Sequence, residues 1–170
     1  MINILEENQV NLHTLANHIE GTGLDVVSRD FDDRTPSLLL ISDIGLNFRI
    51  FVEENRKFVR FSTYLPIDKS RDYQTKLQFI QELNYSVFLP GFSLDSDDDL
   101  FIQYYMSYTQ GLNLGQFTRV LGKFSDVIDH IVNTKNSTNL ILFPDSENAN
   151  NEESSQSLYG INISPRALLN

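Results

Sequence analysis

The amino-acid sequence predicts an α+β fold, an antiparallel sheet packed by helices. Three segments place apolar residues at helical spacing, and several runs alternate apolar and polar residues as half-buried strands do. Short polar turns join the strand candidates into hairpins. The order is helix, three or more strands, helix, two strands, helix. Because helices and strand pairs are grouped, this order favours hairpins over the parallel sheet of a doubly wound nucleotide-binding fold.

The first helix is predicted from apolar residues at positions 12, 15, 16 and 19, and Gly21 and Gly23 are expected to end it. Strand candidates follow at residues 24–31, 37–42, 46–52 and 59–65. The last two alternate regularly and flank a polar turn at residues 54–56, which is a strong hairpin signal.

The second helix is predicted over residues 73–83, with Asp68 or Ser70 as its N-terminal cap. A second hairpin then runs from residues 86–94 through a turn at 95–99 to a return arm at 100–108, and Pro90 indicates that the first arm is an edge or bulged strand. The last helix begins after Asn113, which forms a capping-box variant with Gln116.

The composition changes near Thr134. We expect residues 1–133 to form the folded domain and residues 134–170 to form a tail rich in Asn, Ser and Glu, mobile by default. Two apolar islands in the tail, at residues 140–143 and 158–163, are able to dock on the body or on a partner.

The charge balance excludes several functions. Thirteen basic and 23 acidic residues give a net charge of −10, which argues against binding nucleic acid or an anionic membrane. The sequence has no cysteine, which excludes disulfides and thiol nucleophiles. We see neither a signal peptide nor an apolar run that would span a membrane, so a cytoplasmic location is expected.

The motifs that carry chemistry are incomplete. The acidic run at residues 95–99 begins like a calcium loop, but Leu100 stands where glycine is needed and Met106 where glutamate is needed. The aspartates at residues 30–33 resemble a phosphatase motif with its register lost. The three histidines have no metal-ligand spacing. The sequence therefore predicts no catalytic residue, metal or cofactor, and a protein that is not an enzyme.

The sheet offers a more informative feature. The set of alternating strand residues expected to face the helices is Phe48, Ile50, Phe61, Leu65, Ile102, Tyr104 and Met106. If the helices cover this set, the opposite face carries aromatic side chains mixed with charged and polar ones. Such a mixture is typical of protein-binding surfaces, although a helix or the tail can also cover it. We predict a dimer interface or client-binding face formed by Phe51, Phe58, Tyr64, Phe101, Tyr105, Arg49 and Arg60.

Four segments resemble the YbjN family. Residues 46–52 and 57–65 resemble its central hairpin, and residues 95–106 resemble its acidic turn and following strand. Gly111 and the residues after it, with Phe117 and Leu121, resemble its final helix. The chain departs from the family at Asp99, where glycine is expected, and in its long tail.

The resemblance implies a fold like that of type III secretion chaperones, in the order α-β-β-β-α-β-β-α. It also implies a regulator of bacterial sensory transduction that binds a protein partner or client, often as a homodimer, without catalysis. Two alternatives stay open. One is a small-ligand sensor with a cavity between sheet and helices. The other is an enzyme with a dispersed carboxylate site, for which Asp30, Asp32, Asp33 and Tyr64 are candidates.

Overall fold

A computed structural model describes residues 3–22, 26–30 and 35–142. The strands are β1 (Ile4–Leu5), β2 (Val26–Asp30), β3 (Ser37–Ile41), β4 (Asn47–Glu53), β5 (Phe58–Leu65), β6 (Gly91–Leu94), β7 (Leu100–Ser107) and β8 (Leu112–Asn113). The α-helices are α1 (Leu12–Glu20), α2 (Tyr73–Ser86) and α3 (Leu114–His130). A 3₁₀ turn at Glu7–Gln9 precedes α1, and a π-helical turn at Ile131–Lys135 extends α3.

Six strands form one antiparallel sheet in the order β2-β3-β4-β5-β7-β6, and β1 pairs separately with β8. The predicted α+β class and both hairpins are confirmed. Four strands lie between α1 and α2, which matches the four candidate runs and is one more than the family layout implies. The extra strand, β2, is an edge of the sheet.

The helices and the sheet share one hydrophobic core. Helix residues such as Leu15, Leu83 and Phe117 are buried in the same cluster as one alternating set of strand residues. We call this side of the sheet the covered face; its buried members include Phe48, Ile50, Phe61, Leu65, Ile102 and Met106. Phe61 lies at the centre, with its ring 5.8 Å from those of Phe117 and Phe124. Strand alternation thus assigned the core correctly from the sequence.

The start of α2 and the strand after it differ from the prediction. Asp72 caps α2 by accepting a hydrogen bond from the backbone N–H of Thr75, so neither Asp68 nor Ser70 is the cap. Asp68 instead accepts from Ser70 within the preceding turn. Residue 86 still belongs to α2, and the first arm of the second hairpin is only the four residues of β6. As expected from Pro90, β6 is an edge strand.

Two contacts hold the last part of the described chain, one at the start of α3 and one after its end. The side chain of Asn113 caps α3 by accepting from the backbone N–H of Gln116. After the π-helical turn, the chain returns to the sheet, where Ile141 forms a β-bridge with Ile67. Leu140 and Ile141 are buried, so the first apolar island of the tail packs on the body. The second island, residues 158–163, lies outside the described residues.

Candidate protein-binding face

The seven predicted surface residues lie together on the sheet face opposite the helices. In the register of the sheet, Arg60 stands between Phe51 and Tyr105, and Tyr64 stands opposite Phe101. Phe58 and Arg49 share this face through the alternation of β5 and β4. We call it the open face, because all three helices of the described chain pack on the covered face.

At the centre of the open face, an arginine covers an aromatic ring. The guanidinium carbon of Arg60 lies 4.1 Å from the centroid of the Phe51 ring. Its Nε donates to the Glu53 carboxylate at 2.9 Å, which holds the guanidinium in place. This cover explains why Phe51 is only 3% exposed although no described helix lies over it. Phe51 therefore lies inside the face, beneath Arg60, and is not exposed to solvent.

Arg49, the second arginine of the open face, is held by side chains of β2 and β3. Arg49 donates through Nη1 to the Asp30 carboxylate at 2.6 Å and to the Ser37 hydroxyl at 2.7 Å. The hydroxyl of Ser28 also donates to Asp30. Hydrogen bonds from Ser28 and then from Arg49 hold the pKa of Asp30 below its usual value, so this carboxylate stays ionised. A carboxylate engaged in this way is a poor general base, which counts against its role in a dispersed catalytic site.

The charges on the open face balance. Its strands carry Arg49 and Arg60 together with Asp30 and Glu53, in two ion pairs. The charges that these strands carry on the open face thus cancel, in a chain with a net charge of −10. A neutral surface can approach another protein without long-range repulsion.

Aromatic pairs occupy β5 and β7. Tyr64 and Phe101 stack with ring centroids 4.6 Å apart, and Phe58 and Tyr105 meet edge to face at 6.0 Å. Burial raises the pKa of Tyr64, the most enclosed of the four, whereas Tyr105 is 41% exposed. Phe58 and Phe101 are half-buried. The exposed part of the open face therefore consists mainly of Tyr105, with the half-buried rings of Phe58 and Phe101 in contact with its neighbours.

The residues suggested for other chemistry are only partly described by the structure. Asp32 and Asp33 fall outside the described residues. In the acidic turn, Asp95 accepts from the backbone N–H groups of Asp97 and Asp99, as in an ordinary hairpin turn. The described part of the chain has no cluster of acidic or histidine side chains suited to a metal ion.

A groove of about 530 Å³ lies away from the seven predicted residues. Its lining comes from the start of α1, the end of β4 and the segment before β3, and includes Leu12, His13, Pro36 and Val52. It opens to solvent and is not an enclosed cavity between sheet and helices of the kind a small-ligand sensor would use.

Two partners of the open face escaped the sequence reasoning. Ser37 begins an apolar run and carries no sequence signal that it would bind Arg49. Asp30 was considered only as a catalytic candidate. Its position opposite Ser37 depends on the β2–β3 register, which alternation alone does not give.

The element order, sheet topology and one-sided helix packing define a type III secretion chaperone-like fold. The family model described as "Putative bacterial sensory transduction regulator" matches residues 11–134, and the chain therefore belongs to the YbjN family. The resemblance drawn from the sequence is confirmed. The family description is that of a regulator rather than an enzyme. No helix of the described residues is long and apolar enough to cross a membrane.

Solved structures share the fold at low sequence identity. The crystal structure of YbjN from E. coli matches with a TM-score of 0.60 and 20% identity, covering 79% of this chain and 97% of that one. The ExsC-ExsE complex matches with a TM-score of 0.51 and 15% identity, covering 78% and 94%. The HopA1-SchA chaperone-effector complex has a TM-score of 0.47 and 15% identity, covering 71% and 96%. No curated protein matches the sequence.

Proposed function

We propose that this protein is a non-catalytic cytoplasmic regulator that binds a protein client through the open face. One observation carries the proposal: a sheet face with aromatic side chains and fully paired arginines stands clear of the three described helices in a strongly acidic chain. Tyr105 is exposed on this face beside half-buried Phe58 and Phe101, and aromatic side chains mixed with polar ones are typical of protein-binding surfaces. The family description as a regulator supports the same conclusion.

The chemistry of the face indicates the kind of client. Tyr105, Phe58 and Phe101 offer ring edges to aliphatic or aromatic side chains. The arginines are already neutralised by Glu53 and Asp30, so a strongly charged client gains little from them. We therefore propose a client segment that is mostly apolar, with few charges. The fold neighbour solved as the ExsC-ExsE complex supports binding of a second protein by this fold.

The proposed domain division follows the family match with one addition. The family region ends at residue 134, close to the predicted boundary at residue 133. Because Leu140 and Ile141 pack into the core, we propose that the folded unit continues to residue 142 and that the tail proper begins there.

A photo-crosslinking amino acid at Tyr105 tests the open face directly. Placed in the full chain in its native cell, it should capture one reproducible protein other than this chain, identified by mass spectrometry. The same amino acid at Gln116, an exposed position at the start of α3, serves as the matched control and should not capture that protein.

Purified components then test the contact. Tyr105→Asp should weaken binding of the captured protein at least about 30-fold, the ratio expected for loss of an interface hot spot. Gln116→Asp adds the same charge outside the face and should leave the affinity within about twofold. Unchanged affinity of Tyr105→Asp, with an unchanged circular dichroism spectrum, would refute the assignment.

A further inference from the structure

Residues 143–170 follow from a point at one end of the open face. The backbone N–H of Leu142, the last described residue, donates to the carbonyl of Pro66 at 2.9 Å. Pro66 directly follows β5, the strand in which Arg60 stands opposite Tyr105. Six positions of extended chain separate Arg60 from Pro66, which is about 20 Å. The tail therefore begins about 20 Å from the centre of the open face.

The second island, residues 158–163, is attached within reach of that centre. Sixteen positions separate Leu142 from Leu158, and an extended chain of this length reaches about 50 Å. A short tether of this kind holds a segment near its target at an effective concentration on the order of 1 mM. Even a weak contact between the second island and the open face is then well populated.

The second island also has the chemistry that the open face favours. Its six residues, Leu-Tyr-Gly-Ile-Asn-Ile, carry no charge, whereas residues 143–157 carry four acidic side chains and no basic one. The arginines of the open face are already paired with Glu53 and Asp30, so the face selects apolar segments over acidic ones. Within residues 143–163 the second island is the part that meets this requirement.

The spacing of the second island matches that of β7. Tyr159, Ile161 and Ile163 alternate with a glycine and an asparagine. In an extended segment these three side chains lie on one side, with the outer two about 13 Å apart. Phe101 and Tyr105 are also four positions apart in β7 and lie on the open face, so the same distance separates them. A segment lying along β7 thus brings an apolar side chain to each ring.

We propose that the second island of the same chain docks on the open face along β7 and competes there with the client. The competition rests on the function proposed above, whereas the docking does not. At an effective concentration of about 1 mM, a segment with a dissociation constant of about 0.1 mM occupies the face about nine-tenths of the time. Client binding is then about tenfold weaker, because only the unoccupied fraction is competent.

Photo-crosslinking in the purified full chain tests the docking. A benzophenone amino acid at the position of Tyr105 should crosslink to residues 158–163 with no client present, as mapped by mass spectrometry. The matched control places it at Tyr85, which is 91% exposed on α2 and should give no such crosslink. In a mixture of isotope-labelled and unlabelled chains, the crosslinked peptides should carry one label state only. A missing crosslink at Tyr105, capture by Tyr85 instead, or mixed labels would overturn the proposal.

A fluorescent peptide with the sequence of residues 158–163 tests the competition, with its affinity measured by anisotropy. The peptide should bind the full-length Ile161→Asp variant about tenfold more tightly than the wild type, because the altered tail no longer fills the face. Asn150→Asp adds the same charge to the tail outside the second island and should change the affinity less than about twofold. Adding Tyr105→Asp to Ile161→Asp should abolish the gain.

Equal peptide affinities of the wild type and Ile161→Asp would overturn the competition. Both measurements use no client, so their failure is distinct from a failure to capture a client protein in the cell. Capture of a client at Tyr105 without the internal crosslink would leave the proposed function standing and refute the docking alone.

Discussion

Leu140 offers a sharp test of where the folded body ends. It lies six residues past the family match and directly follows the polar residues 136–139, yet its side chain is 1% exposed. Its backbone carbonyl accepts a hydrogen bond from the N–H of Asp68 at 2.9 Å. The amide of Asn136 holds the same segment by bonding both the N–H and the carbonyl of Ile141 at 2.8 Å. Leu140→Ala removes only the buried apolar atoms and leaves these backbone contacts in place.

The expected cost is about 3 kcal/mol. Removing three carbon groups at about 0.8 kcal/mol each accounts for about 2.4 kcal/mol, and the cavity left behind adds the rest. The matched control is Leu142→Ala. Leu142 is 47% exposed, so its truncation leaves no cavity and should cost less than about 1 kcal/mol.

Urea unfolding followed by circular dichroism measures both variants. With a slope of about 2 kcal/mol per molar urea, Leu140→Ala should lower the midpoint by about 1.5 M at an unchanged slope. Leu142→Ala should shift it by less than about 0.5 M. Equal midpoints for the two variants would show that residues 136–142 do not belong to the core.

Two further expectations concern the open face. Asp30→Asn should lower the free energy of unfolding at pH 7. The folded state holds the pKa of Asp30 below its unfolded value of 3.8, so the ionised carboxylate stabilises the fold at pH values above 3.8. That contribution is lost as pH falls through the folded pKa, so the difference from wild type should vanish in strong acid, and a difference that persists there would contradict this origin. Phe51→Ala should cost about 3 kcal/mol, whereas Tyr105→Ala should cost less than about 1 kcal/mol, because only Phe51 is enclosed. Thermal denaturation of the pair measures this contrast, and equal losses would show that Arg60 does not cover Phe51.

Alternation along the strands predicted most of the fold. It placed Phe61 and Ile102 in the core and Arg60 and Tyr105 on the opposite face, because side-chain direction in a strand depends only on parity. Alternation shows on which side of the sheet a side chain lies, but not how deeply it is buried. For that reason the sequence could not show that Phe51 is covered by Arg60, a contact made between neighbouring strands.

The start of α2 and the exposed apolar residues along it were harder to predict. Asp68, Ser70 and Asp72 are all suitable caps, and only the path of the turn selects Asp72. The apolar spacing of α2 predicts a helix but does not show which of its sides is buried. In the structure Phe79 and Leu83 enter the core, whereas Leu77 lies on the other side. The spacing of four that leads from Leu77 to Gln81 and Tyr85 was the available signal for a second face.

Strand β7 alternates between residues that are buried in the core and residues that lie on the open face. Ile102 and Met106 are buried in the core, so substitutions there act through the amount of folded protein in the cell. Gln103 and Tyr105 lie between them in the strand and point to the open face, where a change leaves folding almost intact. Substitutions at the open-face positions of β7 therefore need not disturb its core positions. Substitutions can therefore accumulate on the open face at every second residue of this strand while the amount of folded protein stays constant.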